Sequence, residues 1–212
     1  MEAVRIVTGR AIAIEGDNID TDRMLPSRFL LKPRAVDYSK LLFHDLRASP
    51  ASRAKFPFDD PRYAGAKILV GGRNFGCGSA REQAVYGMLD FGTRALVAVS
   101  FGDIFKANCV NNGLLPAEIA PEHAEAMRSR VSREPETLFT IDLKSQVIED
   151  VSGTRIPFEI DPGHREQLLT GTDLIDQTSA HLAEIAGFEE RYYSQMPWAK
   201  FDSRTLNAKS ER

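Results

Sequence analysis

The chain has 212 residues, enough for one large domain or a compact domain with appendages. Its 27 Lys plus Arg against 30 Asp plus Glu leave a net charge of -3, which gives no pull toward nucleic acid or an anionic membrane surface. Apolar stretches are short and broken by charge, none near the roughly 20 residues that span a bilayer, and no basic segment followed by an apolar one opens the chain, so a cytoplasmic protein is expected.

Cys77 and Cys109 are the only cysteines, expected as free thiols. Two thiolates are too few for an iron–sulfur cluster, which takes about four. His44, His123, His164 and His181 lack the spacing of zinc ligands. The chain is expected to hold no metal or cofactor of its own.

Arg5 to Thr8 and Arg10 to Ile14 read as extended segments broken at Gly9 and stopped by Gly16-Asp17. A dense polar group follows, Asn18-Ile19-Asp20-Thr21-Asp22. The stretch from His44 to Ala64 carries Pro50, Pro57 and Pro61 and reads as a long irregular loop, the kind that is functional or mobile. Lys67 to Val70 is a short apolar strand running into Gly71-Gly72-Arg73-Asn74-Phe75-Gly76-Cys77-Gly78, with four glycines in eight residues. Ser79 and Glu82 stand in the S-x-x-E register of a capping box. Ala84, Val85, Met88 and Leu89 form an apolar helical face, Gly92 suits the C-terminal cap, and Arg94 to Val99 reads as a buried strand. The whole is a βαβ unit with parallel strands.

A second round is shorter: a helix over Asp103 to Val110, a turn at Asn111-Asn112-Gly113, and a strand from Leu114. Pro121 opens a helix to about Val131. Leu138 to Leu143, Gln146 to Asp150 and Thr154 to Ile160 resemble a meander. Helical patterns run from Pro162 to Tyr193 with a split near Gly171. One α/β domain over 1–198 with a helical C-terminal extension is expected, then a polar tail over 199–212 that frays into disorder.

The glycine loop delivers the chain to a helix N-terminus, where free N–H groups and the dipole favour an anion. Arg81 adds a forked donor suited to a carboxylate, with Arg73 a weaker second. A Walker loop would end Gly-Lys-Ser/Thr, and the dinucleotide fingerprint would place glycine where Arg81 stands, so a small carboxylate is the expected ligand. Plainer roles stay open: Ser79 as an N-cap, Arg81 as a solvated helix residue, Asp20 and Asp22 as turn caps. Cys77 as a nucleophile lacks a neighbouring histidine base.

Gly72 to Glu82 resembles the signature of the aconitase-type swivelling domain, and more closely that of isopropylmalate isomerase small subunits. Asp17 to Asp22 followed by Pro26, Phe29 and Leu30 resembles a second family block. Ser100 to Phe105, with Asn108 and Asn111-Asn112-Gly113-Leu114-Leu115-Pro116, resembles a third. The resemblance implies a swivelling β/β/α fold, as in the C-terminal domain of aconitase, closing over a larger subunit that carries a four-iron–four-sulfur cluster. It implies a hydro-lyase of leucine biosynthesis that interconverts 2- and 3-isopropylmalate by dehydration and rehydration. Ser79 would be the catalytic base and Arg81 the carboxylate ligand, with Gly78, Ala80, Asp20, Thr21 and Asp22 around the substrate. Arg28, Phe29, Leu30 and Leu31 fall in the loop associated with specificity, where the apolar three suit an alkyl group and Arg28 could face a carboxylate.

The family usually reads Ser-Ser-Arg-Glu-His where this chain has Ser79-Ala80-Arg81-Glu82-Gln83. That departure keeps open a paralogue acting on citraconate, a dimethylmalate or a homoaconitate-type acid, and also a non-catalytic carboxylate-binding subunit.

Overall fold

In the computed structural model, which describes residues 1–48 and 56–200, β1 (Ile6–Ala13) serves two ladders at once. Its first half pairs antiparallel, Ile6 with Asp142 and Arg10 with Leu138, and its second half pairs parallel, Ala11 with Ile68 and Ala13 with Val70. Gly9 does not break the strand as expected. It sits against Lys67, where an added Cβ would come within 2.9 Å of the lysine Cβ. Glycine here answers a close approach rather than a bend.

A four-residue helix α1 (Thr21–Met24) follows, then a 3₁₀ turn over Ser27–Phe29 and a second over Tyr38–Lys40. The region expected as one irregular loop contains α2 (His44–Ala48) and 3₁₀ turns at Pro57–Asp59 and Pro61–Tyr63. It is tied to the core by aromatic rings. Phe43 lies 5.3 Å from Phe56 and 5.2 Å from Phe58, and Phe58 lies 4.5 Å from Phe91. Pro50 falls outside the described residues.

The parallel half is built from β2 (Ile68–Val70), α3 (Glu82–Phe91), β3 (Ala95–Ala98), α4 (Asp103–Asn111) and β4 (Leu115–Glu118). Every residue of β2 and β3 is buried, as strands covered on both faces require. α3 buries Ala84, Val85 and Met88 and ends at Gly92, whose φ of 105° is the left-handed cap expected of it. α5 (Pro121–Arg133) starts on its proline and turns Ala124, Met127 and Val131 inward, a spacing of one helical face packed on β1 and β2.

The antiparallel half is β5 (Leu138–Asp142), β6 (Val147–Asp150) and β7 (Arg155–Pro157), the last shorter than the Thr154 to Ile160 expected. Phe139 and Ile141 alternate inward. Thr140 on the other face meets Thr8 across the ladder at 3.0 Å. The seven strands run in the order β4-β3-β2-β1-β5-β6-β7. α6 (Pro162–Thr170) is capped by Asp161, which accepts from the N–H groups of Gly163 and His164, and ends at Gly171 with φ 72°.

Two compact units emerge, dividing after Thr172. In the second, α7 (Leu174–Ser179) is capped by Asp173, and α8 (Leu182–Gln195) has no buried residue. The expected tail lies outside the described residues from 201 onward. No helix among the described residues is long and apolar enough to cross a membrane.

Candidate active site

The loops that leave the carboxyl ends of β1, β2 and β3 meet, and they carry the three sequence blocks. This is where open α/β sheets place their ligands. The first and second blocks are laced by backbone and short polar side chains. Asp17 accepts from Arg73 N–H at 2.7 Å, Asn18 N–H donates to Arg73 O at 2.9 Å, and Asn74 Nδ2 donates to Asn18 Oδ1 at 2.8 Å. Asn18 and Asn74 both have φ of 54°, a region asparagine tolerates. The third block holds the glycine-loop block through Ser100, whose Oγ accepts from Asn74 N–H and whose C=O accepts from Phe75 N–H, each at 2.9 Å.

Three glycines of the loop are sterically forced, Gly71 among them, where a Cβ would come within 2.5 Å of the Phe75 ring. A Cβ on Gly76, at φ 76°, would fall inside the ring of Phe105, and one on Gly72 would strike Asp17 and the Gly16 carbonyl.

Asp20 caps α1, its carboxylate accepting from Arg23 N–H at 2.6 Å, as the plainer reading had it. Thr21 is buried, its N–H donates to Cys77 O at 2.9 Å, and its Oγ1 donates to Ser79 O at 2.7 Å. That last bond explains why the capping box fails. Ser79's backbone is held by α1, and α3 starts only at Glu82, with Arg81 in the cap position and no side chain capping the helix. Glu82 Oε1 accepts instead from Asn112 Nδ2 at 2.8 Å, joining the third block to the helix start. Ser79 therefore caps nothing, and it is exposed together with Gly78 and Ala80.

Arg81 is the buried charge of this region, at 9% exposure. Its Nη1 donates to Leu25 O at 2.9 Å and its Nη2 pairs with Asp22 Oδ1 at 2.5 Å. Its Nε is buried without a hydrogen-bond partner. A guanidinium fixed on two sides with one buried N–H unsatisfied keeps donor capacity that the described residues do not use.

The candidate specificity loop leans on the start of α3. Arg81 takes the Leu25 carbonyl, and Gln83 Nε2 donates to Leu30 O at 3.4 Å. Phe29 and Leu30 are half-buried against the core, whereas Leu31 is 99% exposed. Arg28 lies under Asp45, its Nη1 3.1 Å from Oδ2 and its Nη2 bonded to Oδ1. The Arg28 guanidinium, with help from His44, lowers the Asp45 carboxyl from its ordinary 3.8 to about 2. His44 and Asp45 carry no local pattern that would have marked them. Arg73 contributes backbone bonds to the lacing.

Cys77 is partly exposed and free, and burial pushes the Cys109 thiol well up. Among the described residues no three His, Cys, Asp or Glu side chains converge as metal ligands. A cavity of about 470 Å³ opens at the opposite ends of the strands, lined by Arg5, Lys67, Leu89 and Arg94 among others, and none of the candidate residues lines it.

The family model described as Aconitase C-terminal domain matches residues 1–122, and that described as LeuD_N matches residues 125–162. The 3-isopropylmalate dehydratase small subunit of Caulobacter vibrioides is 38% identical over 200 residues, 93% of this chain and 98% of the relative. That of Shewanella oneidensis is 39% identical over 194 residues, covering 90% and 94%. A crystal structure of 3-isopropylmalate dehydratase from Methanocaldococcus jannaschii superposes with a TM-score of 0.61 at 25% identity, over 86% of this chain and 98% of that one. The expected swivelling α/β fold is borne out by these matches, and the chain belongs to the 3-isopropylmalate dehydratase small-subunit family, within the aconitase C-terminal-domain group.

Proposed function

We propose that this chain is the small subunit of a hydro-lyase that interconverts 2- and 3-isopropylmalate in leucine biosynthesis. It completes an active site on a larger iron–sulfur subunit. The observation that carries the reading is Arg81, a buried guanidinium anchored by Leu25 and Asp22 with its Nε unpartnered, two residues from an exposed serine that caps no helix.

In this reading Arg81 binds a substrate carboxylate through its unused edge. Ser79 takes the proton from the carbon next to that carboxylate and returns it on rehydration. A neutral hydroxyl is a weak base, so its alkoxide needs stabilising donors. The uncapped N-terminus of α3 supplies N–H groups and a positive dipole end there. Docking on the partner would shut water out of a site that is open in the isolated chain. The four-iron–four-sulfur cluster, which this chain's two cysteines cannot hold, would supply Lewis acidity from the large subunit. Loop 27–31 would face the alkyl substituent.

The test is anaerobic reconstitution with the large subunit and an assay of both directions. Turnover in the wild-type complex, lost in an assembled Ser79→Ala complex, supports the reading. Full activity of the Ser79→Ala complex sinks the assignment of the base, and a wild-type complex inert on isopropylmalate sinks the substrate.

A further inference from the structure

The loop after α1 carries a cation for which the proposed chemistry has no use. Arg28 sits between two residues that are bonded to the start of α3, Leu25 through Arg81 and Leu30 through Gln83. An unpaired guanidinium there would attract a carboxylate. Arg28 is not unpaired. Both of its terminal nitrogens bond to Asp45, and its Nη2 also lies 3.2 Å from His44 Nδ1. The guanidinium stands 4.6 Å over the Phe29 ring, whose other neighbour is the His44 ring at 5.0 Å.

The clip is held by a strained residue. Phe43 has φ of 52°, a conformation that costs a bulky side chain about 1–2 kcal/mol and marks a genuine outlier. It is fully buried among Phe56 and Phe58, and its N–H donates to Met24 O at 2.6 Å, at the end of the helix that bears Asp22. The turn at Phe43 leads directly into His44 and Asp45. α2, at five residues, is too short to be stable by itself, so its place is set by these contacts.

We propose that Asp45 is a specificity-determining residue: by neutralising Arg28 it keeps the wall beside the Arg81 site without net charge, admitting a diacid with an apolar substituent and rejecting one with a third carboxylate. His44, which shares Arg28 and packs at a tilt against the Phe29 ring, is a positioning residue for the same loop. The inference rests on the proposed function, in which loop 27–31 faces the substrate.

The experiment is calorimetric binding of tricarballylate, a small tricarboxylate, to the assembled complex, which requires no turnover. Asp45→Asn is expected to tighten binding by about tenfold, the worth of one added charge-assisted contact. Arg28→Gln/Asp45→Asn is expected to return it to the wild-type value, and Arg28→Gln alone, which leaves the Asp45 carboxylate without its cation, to weaken it. A general loosening of the loop would weaken binding in Asp45→Asn, and removal of Arg28 would not repair it. Unchanged binding in Asp45→Asn, or tightening that survives in the double variant, overturns the proposal. Wild-type turnover of isopropylmalate, measured on the same preparations, separately decides the underlying reading.

Discussion

The Arg81 side chain is 10% exposed, yet the Asp22 carboxylate it holds at 2.5 Å is 55% exposed. The pair is therefore asymmetric: the cation is fixed by the fold, and the anion stands at the open face as one of its two restraints. Asp22→Asn should leave Arg81 in place on the Leu25 carbonyl but loosen its aim. In the assembled enzyme KM for isopropylmalate is expected to rise about tenfold, the loss of one charge-assisted bond, with kcat changed much less. A fall confined to kcat would contradict this.

Ser79 separates two roles by stability alone. A helix cap replaced by alanine costs about 1 kcal/mol, whereas an exposed side chain with no structural role costs under about 0.5 kcal/mol. Because α3 begins at Glu82 without a side-chain cap, Ser79→Ala is expected to unfold at the wild-type urea midpoint while its complex loses about 10²-fold or more in kcat.

The Asp45 carboxyl, held down to about 2 chiefly by Arg28 and then by His44, gives a pH signature. Its folded value lies below the unfolded one, so the pair's contribution is complete above about pH 4 and disappears as pH falls through about 2. Carboxyl carbon NMR should show Asp45 titrating near 2 in the wild type and higher, shifted toward the ordinary aspartate value, in Arg28→Gln. Equal midpoints in the two proteins would show that Arg28 is not the cause.

The two thiols should behave oppositely. Cys77 is partly exposed, and Cys109 is fully buried with its pKa raised by desolvation. Iodoacetamide at pH 8 is expected to modify Cys77 alone in the folded chain, and both after urea. Unfolding releases Cys109 to ionise at an ordinary thiol pKa, so its contribution to stability should fall as pH rises past about 9. Peptide mapping after alkylation reads the first point, and urea midpoints at pH 8 and 10 for wild type and Cys109→Ala read the second.

Gly76→Ala should be among the most damaging small changes. The Cβ would enter the Phe105 ring and the residue would keep a φ of 76°, two penalties that together cost about 2–4 kcal/mol. A denaturant midpoint within error of wild type would mean that Phe105 moves aside freely.

Much of the parallel half was legible because its signals are local. The all-buried β2 and β3, Gly92 as a left-handed cap and Pro121 at a helix start each follow from a few neighbouring residues. The errors were tertiary overrides. S-x-x-E at 79–82 is a sound cap pattern, but Thr21 Oγ1 reaches from another helix to Ser79 O and delays the start of α3. Gly9 reads as a break, and only the neighbouring Lys67 reveals that it marks a close approach of two adjacent segments. In the site, Ser79, Arg81, Asp20, Thr21 and Asp22 fall together as their blocks suggested. His44 and Asp45 were invisible because their partner Arg28 lies one loop away, and an ion pair at that distance leaves no periodic trace.

The double duty of β1 bears on how the chain comes to be made. Its later half meets β2 soon after both have been synthesised, but its earlier half has no mate until Leu138 to Asp142 leave the ribosome. Until then the nascent chain carries an unfilled strand edge beside a nearly finished parallel sheet, the state most open to pairing with a neighbour. Translation past residue 142 thus closes the molecule's most exposed interval, and fragments ending before β5 should collect as insoluble material.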